Sequence, residues 1–359
     1  MFTYIDTIEK SKEACSELSQ EKELGIDLEC ENNLHHYGVY LSIIQISSIK
    51  KNYIIDFYKL KGVPCLKEIF ESPKIVKIFH DVDFDFRVLN KEMNCRPKNV
   101  FDTMIAAFLL GKERVGLGDL LKEYFNVEKV SKFQMADWTK RPLTAEMLSY
   151  AMGDTVHLIK LVHFLRKELS EKGRLSWAEE DFKVIESKEW EHHLGTFEGL
   201  KGIKEISDTQ RAIAKRLYDL RERLAQKVDR PIHFIFNNKR LIEFSLRAPN
   251  WKNVTGVHPI VRREWQSFKE AVEKGREEKY EIEIPDHKKF NQKQKEEFAL
   301  VQEVQSEVAK QENIPKHLIM NKDQMIEIVI SKKLDCLKNW QRNLVKKRLA
   351  DVLGISSSV

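Results

Sequence analysis

Four carboxylates and one tyrosine are spaced so that they could hold metal ions for hydrolytic chemistry. They are Asp27 and Glu29 in GIDLECE, Asp85 in HDVDFDF, and Tyr150 with Asp154 in LSYAMGDT. Carboxylates that face one point are costly to bury unless cations compensate their charge. Mg²⁺ prefers oxygen ligands, and two divalent ions about 3.5–4 Å apart suit an in-line displacement at phosphate. The pattern therefore favours a metal-dependent phosphodiesterase that acts on nucleic acid.

Asp27 and Glu29 lie two residues apart in ELGIDLEC, a segment with strand character. Side chains alternate along a strand, so the two acids point to one face while Ile26 and Leu28 point to the other. This alternation predicts that the acids face the interior or a cleft. An exposed edge strand with solvated acids is the alternative.

Tyr150 and Asp154 lie four residues apart in AEMLSYAMGDTVHLIKLVHFLRKEL, which we predict to form one long helix. Residues four apart share a helix face, and Met147 indicates that this face is the packed one. A tyrosine beside a metal-bound acid is suited to orient or deprotonate a nucleophilic water. The alternative is a core tyrosine that hydrogen-bonds to its neighbour.

The acid between these two pairs is ambiguous from the residues alone. The run HDVDFDF offers Asp81, Asp83 and Asp85, and acids are expected at a helix start because they complement the helix dipole. All three follow a predicted strand, and sites in α/β proteins form outside the carboxyl ends of strands. Composition does not choose between them.

The elements that must position these residues indicate a mixed α/β region followed by helices. Strand character marks residues 23–30, 40–49 and 52–58, and the short connections predict antiparallel neighbours. After a helix, residues 74–80 are predicted to add a parallel strand. From Val100 onward the pattern is helical.

The second half of the chain contains an internal repeat. Residues 223–245 align without gaps to 307–329, and each copy reads as a helix, a proline-led turn and an Asn-capped helix. We therefore predict two small all-α domains behind the α/β region. The predicted boundaries are 1–171 for the α/β catalytic domain, 172–206 for a helical linker, and 207–285 and 290–359 for the two helical domains.

Charge is distributed unevenly along the 359 residues, whose net charge is +5. Residues 1–205 hold 30 Lys and Arg against 34 Asp and Glu, whereas residues 206–359 hold 31 against 22. An acidic half joined to a basic half suggests chemistry in the first and polyanion binding in the second. The alternative is that the Lys-rich helices are solvated faces.

The sequence also carries expectations about compartment. No apolar run approaches the roughly 20 residues that span a membrane, and the N-terminus lacks the pattern of a secretory signal. The five cysteines are scattered without a CxxC pair. We therefore predict a cytoplasmic protein with no membrane contact, no zinc site and no disulfide framework.

Together these segments resemble the DEDD exonuclease superfamily, tyrosine subclass, and within it the ribonuclease D family. The segments FDTMIAAFLLG and DWTKRPL are typical of that family, and the repeat resembles the HRDC domain. One departure is Asp-Leu-Glu-Cys where the family commonly has Asp-Thr-Glu-Phe. The matching motif residues are Asp27 and Glu29 followed by Tyr37, Leu41 and Gln45, then Lys77 and His80 with Asp85, and finally Tyr150 with Asp154.

The resemblance implies a fold and an activity. The expected fold is an RNase-H-like α/β exonuclease domain followed by two HRDC-like domains. The expected function is hydrolytic 3′→5′ exoribonuclease activity that releases 5′-nucleotides and trims tRNA precursors and other small structured RNAs. RNA with a 3′ end is then the partner, and no obligate protein partner is evident. Two rivals remain, a DNA exonuclease with the same ligands and a non-catalytic RNA-binding protein.

The resemblance also assigns residues. It selects Asp85 and implies that two divalent ions, Mg²⁺ or Mn²⁺, are held by Asp27, Glu29, Asp85 and Asp154, while Tyr150 serves the attacking water. Candidate substrate contacts are more open. Trp138 could stack a base and Arg141 hold a phosphate, or both could belong to a packed loop. Gln45 and His80 complete the candidates, and for His80 we favour a structural role.

Overall fold

The computed structural model describes residues 2–129, 132–190, 196–282 and 290–355. A six-stranded mixed sheet forms the centre of the N-terminal domain, with strand order β1-β4-β3-β2-β5-β6. Strands β2, β3 and β4 pair antiparallel, as the short connections predict, and the other pairs are parallel. The strands are β1 Thr3–Ile5, β2 Glu23–Asn32, β3 Val39–Ser47, β4 Asn52–Ile55, β5 Val76–Phe79 and β6 Val100–Asp102.

Helices cover both faces of this sheet and make up the rest of the chain. The first nine are α1 Ile8–Leu18, α2 Phe57–Leu60, α3 Pro64–Glu71, α4 Val82–Met93, α5 Thr103–Leu109, α6 Leu117–Phe125, α7 Ala145–Gly153, α8 Leu158–Glu171 and α9 Leu175–Ser187. Five helices follow a short 3₁₀ turn, Phe197–Gly199: α10 Asp208–Lys227, α11 Ile232–Ile235, α12 Asn238–Leu246, α13 Pro259–Arg263 and α14 Trp265–Arg276. The last four are α15 Gln292–Glu312, α16 Lys316–Ile319, α17 Lys322–Ser331 and α18 Asn339–Leu353.

The α/β class is confirmed, but strands β1 and β6 were missed, and the single long helix predicted over Tyr150 and Asp154 was wrong. Strands β1 and β6 are three residues each, too short to show an alternating pattern. The predicted long helix is broken into α7 and α8 by a turn after Gly153. In that turn the Thr155 and Ser47 hydroxyls hydrogen-bond at 2.7 Å, and the Thr155 carbonyl packs against Gly25, where a Cβ would lie 2.9 Å away. This contact with the sheet stops the helix.

The two faces of the sheet have separate cores. Leu24, Ile26 and Leu28 of β2 belong to a core shared with α1, α3 and α4. On the opposite face Ile43 of β3 packs with Met147 and other residues of α7. Residues Asp27 and Glu29 alternate with the first set, so they point toward α7.

Helices α10–α14 and α15–α18 follow the same order: a long helix, a proline-led short helix, and a helix capped by Asn237 or Asn321. Their attachments differ. Helices α15–α18 share one hydrophobic core with α5, α8 and α9, and Trp177 stacks on Trp340 with centroids 4.9 Å apart.

Helices α10–α14 contact the α/β domain at one loop, through hydrogen bonds and the packing of Tyr37 on their core. His36 Nδ1 lies 2.6 Å from Asp229 Oδ2, and the Tyr37 hydroxyl donates to Glu222 at 3.0 Å. Both residues of the α/β domain lie in the loop between β2 and β3. The two helical units therefore differ in how much apolar surface they share with the rest of the chain: α15–α18 complete a large common core, whereas α10–α14 meet the loop between β2 and β3.

The expectation of no disulfide was wrong. Cys15 in α1 and Cys65 in α3 form a disulfide, whereas Cys30, Cys95 and Cys336 are free. The two bonded residues are 50 positions apart, and nothing in their spacing reveals that α1 and α3 pack together. Among the described residues, the structure has no helix that is both long and apolar enough to cross a membrane.

Close packing of α10 on α14 depends on Gly275, because a Cβ there would lie 2.6 Å from the Ile213 Cα. We expect Gly275→Ala to destabilise the protein by about 1–3 kcal/mol, the usual cost of overpacking. Thermal unfolding followed by circular dichroism measures this. Gly153→Ala is the control, since a Cβ there meets nothing within 4 Å and both changes gain helix propensity. Equal stability of the two variants would contradict the packing argument.

Candidate active site

Three of the predicted acids meet at one point. Asp27 and Glu29 project from β2, and Asp154 is the residue that ends α7. One carboxylate oxygen of each lies within 4.8 Å of the others. The three side chains form the carboxylate cluster of this protein. Its oxygen donors and its excess negative charge fit Mg²⁺ or Mn²⁺, which prefer oxygen ligands.

The register of the sheet explains why Asp27 and Glu29 share a face. Asp27 lies opposite Gln45 of β3, and Glu29 lies opposite Ile43. Directly after Glu29 the register shifts, which leaves Ser42 of β3 as an extra residue. The Ser42 hydroxyl donates to the Trp138 carbonyl, so this bulge is tied to the segment that precedes α7.

Asp85 is the buried acid of its run. It is 6% exposed in the first turn of α4, whereas Asp81 is exposed and Asp83 forms ion pairs with Arg87 and Lys188 at the surface. The negative charge of Asp27 helps to raise the pKa of Asp85, so the two groups are close enough to interact. Burial therefore favours the same choice as the resemblance.

Asp102 holds the start of α4 and so the position of Asp85. Its carboxylate accepts hydrogen bonds from the backbone N–H groups of Met104 and Ile105, which makes it the N-cap of α5. The same carboxylate accepts from the N–H groups of Asp81 and Val82. One buried side chain therefore fixes the ends of two helices.

Burial and mutual repulsion dominate the electrostatics of the site. Burial, and then the charge of Asp154, raises the pKa of Asp27 from 3.8 to about 8. Burial also raises the pKa values of Glu29, Asp85 and Asp154. Each of these groups must be ionised to bind a metal ion, so the cluster requires cations to become fully charged.

Lys129 supplies one positive charge, and the sequence analysis missed it. Its ammonium group forms an ion pair with Asp154 Oδ1, and its charge opposes the rise in the pKa of Asp27 and Glu29. The residue lies between α6 and α7, outside any periodic segment, so no sequence pattern places it near the acids.

Tyr150 lies beside the cluster at the wall of a cleft. Its ring is 5.7 Å from that of Phe133 and 6.1 Å from that of Trp138. Burial and the neighbouring carboxylates raise the pKa of its hydroxyl, which therefore stays protonated near neutral pH. The cleft has a volume of about 400 Å³ and is lined by Lys129, Lys132, Phe133, Tyr150 and His157, among others.

Two of the four predicted substrate contacts are buried. Gln45 is 0% and Trp138 is 1% exposed, so neither presents a surface to a base, which corrects the predicted stacking role of Trp138. Trp138 packs with Leu143 and Met147 instead. Gln45 keeps its place opposite Asp27, inside the sheet.

Arg141 and His80 are engaged within the protein. The Arg141 guanidinium makes a bidentate ion pair with Asp56 at 2.6 and 2.7 Å and donates to the Trp138 carbonyl at 2.7 Å. These contacts support the packed-loop alternative for Arg141, whose role as a phosphate ligand stays a prediction. His80 Nδ1 lies 2.9 Å from the Thr103 hydroxyl, and burial lowers the pKa of His80 to about 4, as expected of a structural histidine.

Comparison with known protein families identifies two segments of the chain. A model described as 3′-5′ exonuclease matches residues 2–170, and one described as HRDC domain matches residues 210–270. Residues 2–170 are thus a 3′-5′ exonuclease domain. This exonuclease domain contains the whole carboxylate cluster, Asp85 and Tyr150, and helices α10–α14 correspond to the HRDC domain.

Individual proteins agree with this assignment. Exosome complex exonuclease RRP6 of Saccharomyces cerevisiae is 27% identical over 272 residues, which are 71% of this chain and 37% of that protein. The catalytic core of RRP6 from Trypanosoma brucei is 26% identical, with a TM-score of 0.68 over 77% of this chain and 79% of that one. The chain spans about a third of the length of the curated relatives it matches.

Escherichia coli RNase D, described as an exoribonuclease involved in structured RNA processing, has the same fold. It is 20% identical, with a TM-score of 0.76 over 99% of both chains. An RNase-H-like exonuclease domain followed by helical HRDC structure is therefore confirmed. Because RRP6 proteins match as well, the resemblance extends to both groups and is broader than ribonuclease D alone.

The raised pKa values predict how metal binding depends on pH. The pKa of Asp27 is about 8 in the folded protein, against 3.8 ordinarily. Between these two pH values the folded protein binds more protons than the unfolded chain. The free energy of unfolding of the metal-free protein therefore falls as pH rises from the lower value to the higher one. Metal competes with these protons, so we expect the increase in melting temperature caused by saturating Mg²⁺ to grow between about pH 6 and 8. Differential scanning fluorimetry with and without chelator measures the difference.

Asp27→Asn is the matched variant for this experiment, because it removes the charge and keeps the shape. We expect its Mg²⁺-induced stabilisation to be small at every pH. If the Mg²⁺-induced increase in the melting temperature of the wild type does not change between pH 6 and 8, these carboxylates are already ionised in the metal-free protein.

Proposed function

We propose that this chain is a metal-dependent 3′→5′ exoribonuclease that releases 5′-nucleotides and trims the 3′ ends of tRNA precursors and other small structured RNAs. The observation that carries the proposal is the carboxylate cluster, with oxygens within 4.8 Å of one another, inside a 3′-5′ exonuclease domain. The fold shared with an RNase described as a structured-RNA exoribonuclease supports RNA as the substrate.

The position of each side chain in the site suggests its role, either as a metal ligand or as a group that orients water. Asp27, Glu29 and Asp154 would hold one divalent ion, and Asp27 with Asp85 a second. The ions supply Lewis-acid activation of water and stabilisation of the leaving 3′ oxygen when bound. The Tyr150 hydroxyl, whose pKa is raised, is suited to orient the attacking water by hydrogen bonding and unsuited to deprotonate it.

The cleft beside Tyr150 is the proposed seat of the terminal nucleotide. Phe133 and Tyr150 offer aromatic surface for a base, while Lys129 and Lys132 offer positive charge for a phosphate. This replaces Trp138 and Arg141 as the proposed contacts, since those two are engaged inside the protein.

The helical units are proposed to bind the body of the RNA. A groove on the HRDC domain is lined by five basic and three acidic side chains. Its basic excess, which includes Arg223, Lys274 and Lys279, suits phosphate contacts without sequence selection. A second HRDC-like domain at 290–359 stays a prediction, as do a cytoplasmic location and the absence of an obligate protein partner. RRP6 is named as part of an exosome complex, so co-purification from a native source is the natural check on partners.

Hydrolysis of a 3′-extended tRNA, with metal removed by chelator and then added back, tests the function. We expect 5′-mononucleotides released from the 3′ end only with metal present. Asp27→Asn should lower kcat by about 10³-fold or more, because it removes several kcal/mol of metal-based stabilisation. Asp81→Asn is the control, since Asp81 is exposed in the same acidic run as Asp85. Faster digestion of a matched DNA strand would favour the DNA exonuclease instead.

Tyr150→Phe isolates the role of the hydroxyl group, because the ring contacts with Phe133 and Trp138 remain. We expect kcat to fall by about 10²- to 10⁴-fold, the range for a positioned proton-transfer or orienting group, with little change in Mg²⁺ affinity. Single-turnover hydrolysis and a metal titration measure the two quantities. A Tyr150→Phe enzyme with wild-type kcat would mean that the tyrosine is only a packing residue.

A further inference from the structure

Lys129 is unlike the other lysines near the cleft. Lys122 pairs with Glu128 and Lys132 with Glu146, and all four side chains are at least 63% exposed. Lys129 instead pairs with Asp154, whose side chain is 4% exposed, and is itself only 23% exposed. Its ammonium group therefore lies within the carboxylate cluster, where a buried negative charge needs a partner.

This ion pair uses a carboxylate that metal binding also needs. Lys129 contacts Oδ1 of Asp154, and Asp154 is one of the three acids whose oxygens converge. An ammonium group and a divalent ion repel each other, so each is expected to weaken the binding of the other to the same small cluster.

Lys129 has room to leave. Its side chain lines the cleft of about 400 Å³ beside Tyr150, and its ammonium group is 5.9 Å from the centre of the Tyr150 ring. The residue lies after the end of α6 and outside every helix. A lysine side chain has four rotatable bonds, so the ammonium group can turn into the cleft without movement of the sheet.

We propose that Lys129 is a tethered counter-cation, which neutralises the carboxylate cluster in the metal-free protein and is displaced into the adjoining cleft when a divalent ion binds. The inference rests on the proposed metal-dependent function and adds to it a residue that sets the metal concentration at which the site loads. It also explains how the acids tolerate each other before metal arrives.

Metal affinity tests the proposal directly. Metal-stripped full-length protein is titrated with Mn²⁺ at constant pH, and free Mn²⁺ is followed by electron paramagnetic resonance. Lys129→Met should bind Mn²⁺ about tenfold more tightly than wild type, a change equivalent to about 1.4 kcal/mol. Lys122→Met removes one nearby charge without touching the cluster and should bind as wild type does. Equal or weaker affinity in Lys129→Met overturns the proposal.

Two further measurements separate the possible failures. Metal-free Lys129→Met should have a lower melting temperature than metal-free wild type, and saturating Mn²⁺ should make the two melting temperatures equal. If Lys129→Met does not fold, Lys129→Arg is used instead. It keeps the positive charge and should show wild-type Mn²⁺ affinity. Tighter binding in Lys129→Arg would also overturn the proposal. A different result would contradict the proposed function, namely wild-type protein that binds Mn²⁺ but does not hydrolyse RNA.

Discussion

Repulsion among Asp27, Glu29 and Asp154 acts against the folded state, because their oxygens lie within 4.8 Å of one another at partly or fully buried positions. A flexible chain would relieve that repulsion by moving the acids apart. Here they are attached to elements that cannot move independently. Strand β2 is hydrogen-bonded on both sides, to β3 and to β5, and α7 ends against the same sheet through the Thr155–Ser47 hydrogen bond. The rigidity of the central sheet is what lets these three acids converge.

Polar and charged groups outside the carboxylate cluster do much of this restraint. Asp102 holds the first turn of α4 with hydrogen bonds to backbone N–H groups, and the bidentate pair of Arg141 with Asp56 fixes the segment before α7. Each of these interactions ties an element that carries a site residue, α4 with Asp85 or α7 with Tyr150, to a neighbouring part of the domain. Arg141, which resembles a substrate ligand in the sequence, thus holds the segment before α7 in place and positions the site indirectly.

Local patterns were enough to predict the parts of the site that depend on one element. The period of two along β2 placed Asp27 and Glu29 on one face, and the resemblance selected Asp85. Features that depend on contacts between distant segments were missed. The turn that separates α7 from α8 exists because Thr155 meets Gly25 and Ser47. The Cys15–Cys65 bond and the position of Lys129 likewise follow from packing that no window of sequence contains.

The different attachments of the two helical units bear on how this chain could be shortened. Helices α15–α18 complete a core to which α5, α8 and α9 contribute. Deleting α15–α18 would expose an apolar surface on the exonuclease domain, and the Trp177 indole would lose its stacking partner. A fragment ending after α14 would keep every acid of the site and still be prone to self-association. Helices α15–α18 therefore cover an apolar surface of the exonuclease domain that lies away from the site. They belong to the folding unit of that domain, whatever they contribute to RNA binding.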